Sequence, residues 1–266
     1  MASHESRSVV FDRASDYYDR TRSLPEAAQR SVTELLAGEL RGRSTTLEIG
    51  VGTGRIALPL NSAGIPMTGV DLSAPMLARL VAKAGGHAPF PIAIADATAL
   101  PLADDSAGGA VACHVLHLIS PWREAAVELA RVVRPGGVIL IDLGGWAASD
   151  WGAIQERFRN EIGAERPGAK DVSEVDEAMT ALGLAVRRLT PIEFTTSFNP
   201  ETQISDLARG LYSIAWDTPA PERERAAAAV RIWAEGELGD LGADRELPHR
   251  IDWRAYDLPA ARPSGW

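Results

Sequence analysis

The chain has 266 residues, 45% hydrophobic and 24% charged, enough for a sizeable core in one large α/β domain or a domain with an added cap. Its net charge of −9 disfavours nucleic acid or an anionic membrane surface as a partner. The single cysteine, Cys113, excludes a disulfide framework within the chain and fits a reducing compartment. Without a signal-peptide core or an apolar run of roughly 18–20 residues, the sequence predicts a cytoplasmic protein with no membrane span.

The first 40 residues predict a helical segment that precedes the first strand. Residues 9–20 mix aromatic and charged side chains, which is typical of an amphipathic helix that packs on a domain. Residues 25–40 predict a second helix, with Pro25 in its first turn and one apolar face. Residues 1–40 are therefore expected to form a separate N-terminal segment.

A glycine-rich turn follows the first predicted strand, which ends at residues 47–49. Gly50, Gly52 and Gly54 come next, and a helix is expected to begin near residue 56. A strand that breaks into glycines before a helix presents backbone N–H groups to a ligand. Arg55 stands where a dinucleotide-binding turn has its third glycine, and Glu48 would repel phosphate. The turn therefore favours a ligand that carries an amine or a sulfonium.

Two later strands also end in acids. Residues 67–71 end in Asp71, about 20 residues after the glycine turn, where an acid can accept hydrogen bonds from ribose hydroxyls. The alternative is that Asp71 caps the next helix. Leu72 and Met76 could cover an adenine. Residues 91–97 predict a third strand that ends at Asp96, which could equally be an ordinary turn residue.

The run Leu-Glu-Ile-Gly-Val-Gly-Thr-Gly-Arg at residues 47–55 resembles the first motif of the class I methyltransferases that depend on S-adenosylmethionine (SAM). The resemblance covers residues 9–145 and is close to the small-molecule branch that includes ubiquinone- and menaquinone-type enzymes. It implies an α/β, Rossmann-like sheet of seven mostly parallel strands with helices on both faces. It also implies that SAM lies over the glycine turn and leaves as S-adenosylhomocysteine.

The same resemblance assigns roles to residues outside the turn. Tyr18 would close over the methionine end of SAM, Asp96 would accept from the adenine amine, and the N–H of Ala97 would face the ring. The predicted cofactor site consists of Tyr18, Glu48, Gly50, Gly52, Gly54, Arg55, Asp71, Leu72, Met76, Asp96, Ala97, Cys113 and His114.

The exit of the predicted fourth strand, residues 110–119, carries two histidines. We expect Cys113 and His114 to line the methionine pocket, and His117 to be a general base or a substrate-orienting group. The alternative for each histidine is a packed, hydrogen-bonded side chain. No metal site is predicted, because no carboxylate or cysteine is expected to complete a ligand set with the two histidines.

The remaining chain predicts the completion of the sheet. Residues 134–137 form a turn before strand five, residues 149–163 and 173–183 are helices, residues 184–198 are strand six, and residues 250–256 are strand seven. The core is assigned to residues 41–145 and its completion to residues 146–266.

An insertion at about residues 199–245 is expected as a helical cap between strands six and seven. Tyr212 and Trp216 would lie on the inner face of this cap. The insertion could equally be a packing layer or a dimer surface.

The functional prediction is a SAM-dependent methyltransferase of a small, partly apolar metabolite, with a homodimer as a candidate assembly. Residues 113–116 read Cys-His-Val-Leu, which lacks the Asn/Asp-Pro-Pro-aromatic motif of many nucleic-acid methyltransferases. Two alternatives stay open. One is a non-catalytic protein that binds SAM or regulates a partner, and the other is an NAD(P)-dependent oxidoreductase.

Overall fold

The computed structural model describes residues 8–144 and 149–261, which form two compact units. The first unit holds residues 8–144, 167–192 and 252–261, and the second holds residues 149–166 and 193–251. The strands are β1 (Thr46–Ile49), β2 (Met67–Asp71), β3 (Ile92–Ile94), β4 (Ala107–Cys113), β5 (Val133–Asp142), β6 (Ala185–Arg188), β7 (Ile192–Phe198), β8 (Arg245–Ile251) and β9 (Arg254–Asp257). The α-helices are α1 (Tyr18–Arg22), α2 (Glu26–Leu40), α3 (Ala57–Ser62), α4 (Ala74–Lys83), α5 (Trp122–Val132), α6 (Asp150–Ile162), α7 (Val172–Ala181), α8 (Pro200–Arg209) and α9 (Ala220–Leu238).

The first unit is built on a seven-stranded sheet in the order β3-β2-β1-β4-β5-β9-β6. Strand β9 runs antiparallel to both of its neighbours, and the other pairs are parallel. The predicted seven-stranded, mostly parallel sheet is therefore confirmed. Strands β2, β1, β4 and β5 are consecutive neighbours, so their carboxyl ends meet at one edge, where ligands of open α/β sheets bind.

Helices cover both faces of this sheet, because alternate residues of each strand point to opposite sides. Leu47 and Ile49 of β1 pack in a core with Leu129 of α5. On the other face, Leu40 of α2 lies over Gly109, where a Cβ would come within 2.7 Å of its Cδ2 atom. All four residues of β1 are buried, including the polar side chains of Thr46 and Glu48.

Two predicted strands are each two strands in the structure. The predicted strand six divides into β6 and β7 around Pro191, which has no N–H to continue a ladder. The predicted strand seven divides into β8 and β9, and between them Trp253 accepts a hydrogen bond from the N–H of Leu189 through its carbonyl oxygen. Only β6 and β9 belong to the large sheet, while β7 and β8 pair in the second unit.

Strand β5 begins earlier than predicted, at Val133 rather than after the turn at residues 134–137. Its pairing with β4 is irregular between Ala107 and Gly109, and Gly136 has a φ of +73°. The proline-glycine-glycine run therefore forms an irregularity within the strand.

The second unit packs α6, α8 and α9 around its own core and carries the two-stranded β7–β8 sheet. Tyr212 belongs to this core, where its ring lies 5.2 Å from that of Trp151 and its hydroxyl donates to Gln203. Trp216 donates its indole N–H to the carbonyl oxygen of Gly210. These buried contacts stabilise the unit itself, and the placement of both rings on the inner face of a cap stays a prediction. The cap role of the insertion stays a prediction.

Among the described residues, no helix is long and apolar enough to cross a membrane.

Candidate functional site

The glycine turn after β1 needs glycine at all three positions. Gly50, Gly52 and Gly54 have φ values of +62°, +53° and +80°, a region that side chains rarely adopt. A Cβ at Gly50 would lie 2.5 Å from Cγ2 of Val115, and one at Gly54 would lie 2.7 Å from Cγ of Leu58. The absence of a Cβ at Gly50 and Gly54 therefore leaves room for the side chains of Val115 and Leu58.

Asp71, at the end of β2, faces the glycine turn. Its Oδ2 atom accepts from the N–H of Gly52 at 2.8 Å, and its Oδ1 atom accepts from the N–H of Ser73 at 2.8 Å. Burial raises the pKa of Asp71, and these backbone donors partly offset that effect. Ser73 is the residue that caps α4, through the N–H of Met76, so the alternative role of Asp71 as a helix cap is wrong.

Apolar side chains next to Asp71 surround the turn. Met76 is buried, and a Cβ at Gly52 would lie 3.3 Å from its Cε atom. Leu72 is half-buried directly after β2. The structure therefore brings Met76 into contact range of the turn.

Glu48 is a buried carboxyl within β1, only 2% exposed. Burial raises its pKa well above the ordinary value. Among the described residues, its Oε2 atom has no hydrogen-bond partner. A buried acidic oxygen without a partner is costly, and a cationic ligand would relieve that cost.

Arg55 connects the glycine turn to the end of β4. Its Nη2 atom donates to Sγ of Cys113 at 3.2 Å. Burial alone would lower the pKa of Arg55, but Cys113, Tyr18, Asp142 and Glu48 raise it, so the guanidinium is charged. Burial raises the pKa of the Cys113 thiol, which is therefore protonated.

Tyr18 comes from the N-terminal segment and is half-buried. Burial raises its pKa and Arg55 partly opposes the shift, which places the phenol in the electrostatic field of that guanidinium. The next residue, Asp19, accepts from the hydroxyl of Thr53 at 2.7 Å and pairs with Lys83 at 3.1 Å. The segment is thus bound to the glycine turn, although it forms two short helices in place of the single predicted helix.

His114 and Asp142 form a pair where β4 and β5 end. The Nε2 atom of His114 lies 2.9 Å from Oδ2 of Asp142. Burial would raise the pKa of Asp142, but His114 beside it lowers the value, so Asp142 is ionised. The possible ligand atoms of Cys113, His114 and Asp142 all lie within 4.8 Å of one another. The expectation that no cysteine or carboxylate accompanies the histidines is therefore wrong for His114.

That cluster is nevertheless poorly suited to a metal ion. The Cys113 thiol is protonated and accepts from a charged guanidinium, while Asp142 and His114 bind each other. Metal ligation needs a thiolate, and a neighbouring guanidinium opposes a second cation. The absence of a metal stays a prediction of the sequence.

The other predicted residues lie in loops. Asp96 is exposed beyond β3, and its Oδ1 atom accepts from the backbone N–H of Thr98 at 2.9 Å. Ala97 is buried in the sheet core. His117 is half-buried in a short 3₁₀ helix, Leu116–Leu118, and its carbonyl oxygen accepts from Gly168. Asp96 therefore takes the bonding of a turn residue, and its adenine role stays a prediction.

Asp142 and Asp19 are site residues that sequence reasoning missed. Asp142 ends β5 as Asp71 ends β2, so the rule of acids at strand ends could have found it. Asp19 has no such signal, because its partners are 34 and 64 positions away.

The segment whose strand ends form this site matches a known protein family. Residues 47–141 match the family model described as a methyltransferase domain. Residues 47–141 therefore resemble a methyltransferase domain.

Curated relatives and solved structures agree with this methyltransferase domain. The chain is 31% identical over 131 residues to the malonyl-[acyl-carrier protein] O-methyltransferase of Salmonella typhimurium, covering 49% of this chain and 50% of that protein. It is 30% identical over 135 residues to the demethylmenaquinone methyltransferase of Corynebacterium efficiens, covering 50% and 56%. The chain thus spans about half the length of the curated relatives it matches. The YcgJ protein of Bacillus subtilis has the same fold, with a TM-score of 0.61, 19% identity, and coverage of 87% of this chain and all of that one.

Proposed function

We propose that this chain transfers the methyl group of SAM to a small, partly apolar metabolite. The single observation that carries the proposal is Glu48, a buried carboxyl next to the glycine turn with one oxygen that lacks a hydrogen-bond partner among the described residues. SAM carries an ammonium and a sulfonium, which suit that carboxyl. Asp71 supplies acceptors for ribose hydroxyls at the end of the neighbouring strand.

The chemistry that SAM supplies is a methyl group already activated for displacement by the sulfonium. The protein's task is therefore to orient the acceptor in line with that methyl group and to exclude water. Orientation of this kind lowers a barrier by on the order of 7–11 kcal/mol. The curated relatives include enzymes named for a carrier-bound malonyl group and for a demethylmenaquinone, which supports a metabolite over a nucleic acid.

The site also separates the proposal from one of its two alternatives, the oxidoreductase. An oxidoreductase would need room for a pyrophosphate at the third glycine position, where Arg55 is bound to Cys113. A non-catalytic SAM-binding protein would share the donor site but transfer no methyl group. A homodimer and a cytoplasmic location stay predictions of the sequence.

Isothermal titration with SAM, S-adenosylhomocysteine and NAD in parallel tests the proposed cofactor. We expect micromolar binding of the two sulfur compounds and no binding of NAD. Binding of NAD alone would overturn the proposal. Transfer of a labelled methyl group to any acceptor then separates an enzyme from a non-catalytic binder.

A further inference from the structure

Two hydrogen bonds join His114, after the end of β4, to Asp142 at the end of β5, and a third reaches Asp142 from Gly144. The backbone N–H of His114 donates to the carbonyl oxygen of Asp142 at 2.7 Å. Its ring Nε2 lies 2.9 Å from Oδ2 of the same residue, and the N–H of Gly144 donates to Oδ1 at 3.0 Å. Both carboxylate oxygens of Asp142 are therefore occupied, and the imidazole is fixed against one of them.

The backbone conformations of His114 and Gly144 both accommodate this imidazole. His114 has a φ of +53°, which costs a non-glycine residue about 1–2 kcal/mol. Gly144 has a φ of +68°, and a Cβ there would lie 2.8 Å from the Nε2 atom. Such strain persists where the surrounding structure fixes a side chain for a purpose, so the pair is a candidate for chemistry.

The bonding also decides which ring nitrogen can accept a proton. Ionised Asp142 can only accept hydrogen bonds, so Nε2 of His114 must carry the hydrogen. In the neutral ring, Nδ1 then has the free lone pair. The His114 side chain is 30% exposed, whereas that of Asp142 is 8% exposed, so the imidazole is the more accessible member of the pair.

The strand order places this nitrogen beyond the methionine end of the proposed donor. Asp71 ends β2, the glycine turn follows β1, and His114 follows β4, the next strand in the sheet. Neighbouring strands lie about 4.8 Å apart, so β4 is roughly 10 Å from β2. A donor with its ribose at Asp71 and its methionine over the turn therefore directs its methyl group toward β4 and β5.

Resting on the proposed function, we infer that His114 is the general base of methyl transfer and that the acceptor is a small molecule with an acidic hydroxyl, such as a phenol or an enol. The bond between the acceptor oxygen and the methyl carbon forms as the bond from methyl to sulfur breaks. The sulfur keeps that electron pair, and the hydroxyl proton passes to Nδ1 of His114. Asp142 stabilises the resulting imidazolium.

The inference excludes acceptors that need no general base. A carboxylate or a tertiary amine has no proton to lose before it attacks, so a fixed His-Asp pair would bring such an acceptor no advantage. A hydroxyl must lose its proton, and a base near neutral pKa is suited to remove it. The pair therefore points to oxygen methylation of a hydroxyl.

Nitrogen-15 NMR of the histidine rings tests the pair without knowledge of the acceptor. We expect the S-adenosylhomocysteine complex to hold neutral His114 with its hydrogen on Nε2, assigned by loss of the signal in His114→Asn. Asp142→Asn should populate both tautomers of His114, because an amide side chain can donate as well as accept a hydrogen bond. Arg55 and Cys113 also interact with Asp142, and they stay unchanged in these variants. A hydrogen on Nδ1 would overturn the inference, as would one equivalent of added Zn²⁺ bound through Cys113.

A turnover assay tests the base itself. The probes are phenols of graded acidity and a tertiary amine, with methyl-labelled SAM, and the matched control is His87→Asn on the exposed surface. We expect His114→Asn to lower kcat on phenols by about 10²–10⁴-fold with unchanged S-adenosylhomocysteine binding. Methylation of the amine alone, or an unchanged rate in His114→Asn, would contradict the inference. Failure of the wild-type chain to bind S-adenosylhomocysteine would instead remove the proposed function. If no probe is methylated, the NMR result tests the inference: a hydrogen on Nε2 of His114 supports it, and a hydrogen on Nδ1 contradicts it.

Discussion

The strand ends of β1 and β2 and those of β4 and β5 share one edge of the sheet but hold their polar groups differently. At β1 and β2, Asp71 accepts from backbone N–H groups that belong to the turns around it. At β4 and β5, side chains bind side chains, as in the Arg55–Cys113 and His114–Asp142 contacts across 58 and 28 positions. The first arrangement follows from a local sequence motif, whereas the second depends on how distant segments of the chain pack together. Donor binding and acceptor chemistry should therefore respond to different substitutions.

The largest effect is expected from Gly50→Ala at the donor end. Alanine at a φ of +62° costs about 1–2 kcal/mol, and its Cβ would lie 2.5 Å from Val115. Val115 is β-branched and stiff, so the turn itself must move. We expect lost S-adenosylhomocysteine binding in titration calorimetry and reduced stability in urea denaturation.

Gly136→Ala is the matched control for Gly50. Its φ of +73° carries a similar backbone cost, but a Cβ there meets nothing within 4 Å. It should lower stability by about 1–2 kcal/mol and leave ligand binding intact. Equal effects of the two substitutions on binding would show that the clash with Val115 is irrelevant to the site.

Asp71→Ala should weaken SAM binding by about 1–3 kcal/mol, through the loss of charge-assisted hydrogen bonds. Asp71→Asn keeps one acceptor oxygen and should give a smaller loss. Calorimetry on both variants, with denaturation to confirm folding, measures the difference. Unchanged affinity in folded Asp71→Ala would mean that the ribose lies elsewhere.

Glu48 predicts a pH dependence of cofactor affinity. Its raised pKa means that the free protein keeps the proton to higher pH than an exposed glutamate would, whereas a bound cation favours the carboxylate. SAM affinity should therefore rise with pH by up to about tenfold per unit until the raised pKa is passed. Calorimetry in buffers of different ionisation enthalpy would detect the released proton. Glu48→Gln should bind more weakly and show no such slope, and a slope that survives the substitution would assign the proton elsewhere.

Glu48 should also make the stability of the free protein depend on pH, in the direction opposite to that of SAM affinity. A group with a raised pKa in the folded state destabilises the fold as pH rises above its ordinary value of 4.5. The cost grows by about 1.4 kcal/mol per pH unit until the folded pKa is reached. Urea denaturation of the free protein between pH 5 and pH 8 (about the range in which the fold is stable) should show this decline in wild type and a flatter profile in Glu48→Gln. Parallel profiles would contradict the burial of an ionisable Glu48.

The smallest effect is expected from Asp19→Asn, which weakens the attachment of the N-terminal segment to the turn. The Asp19–Lys83 pair is more than one-third exposed on both sides, so the loss should stay near 0.5–1 kcal/mol. It should appear as a severalfold faster dissociation of S-adenosylhomocysteine in stopped-flow measurements. Asp16→Asn, which breaks only an exposed pair with Arg79, should leave that rate unchanged.

Strands β1 to β5 could be predicted because each is marked locally, by an apolar run that leads to a glycine, an aspartate or, in β4, a Cys-His pair. The later strands could not. Residues 184–198 and 250–256 each read as one continuous strand, yet Pro191 and Trp253 divide them between the two units. In the sequence, a single residue that interrupts the backbone pairing of a strand is a weaker signal than the alternation of polar and apolar residues around it.

The site divides in the same way. Glu48, the three glycines and Asp71 were recognisable from one motif and its spacing. The partner of His114 was not, because Asp142 meets it only through the β4–β5 register. Sequence reasoning preferred His117, although the fixed and partly exposed ring at the strand end is that of His114. The two histidines can be ranked by their Asn variants, and the general-base account requires the larger loss of turnover in His114→Asn.

A crystal structure of the chain with S-adenosylhomocysteine tests the central claim most directly. We expect the ribose hydroxyls within about 3 Å of Asp71. The amino acid end should lie over the glycine turn near Glu48, and the sulfur should face the ends of β4 and β5. An adenosine placed at His114 and Asp142, or a sulfur directed away from them, would contradict the division into a donor end and a reaction end.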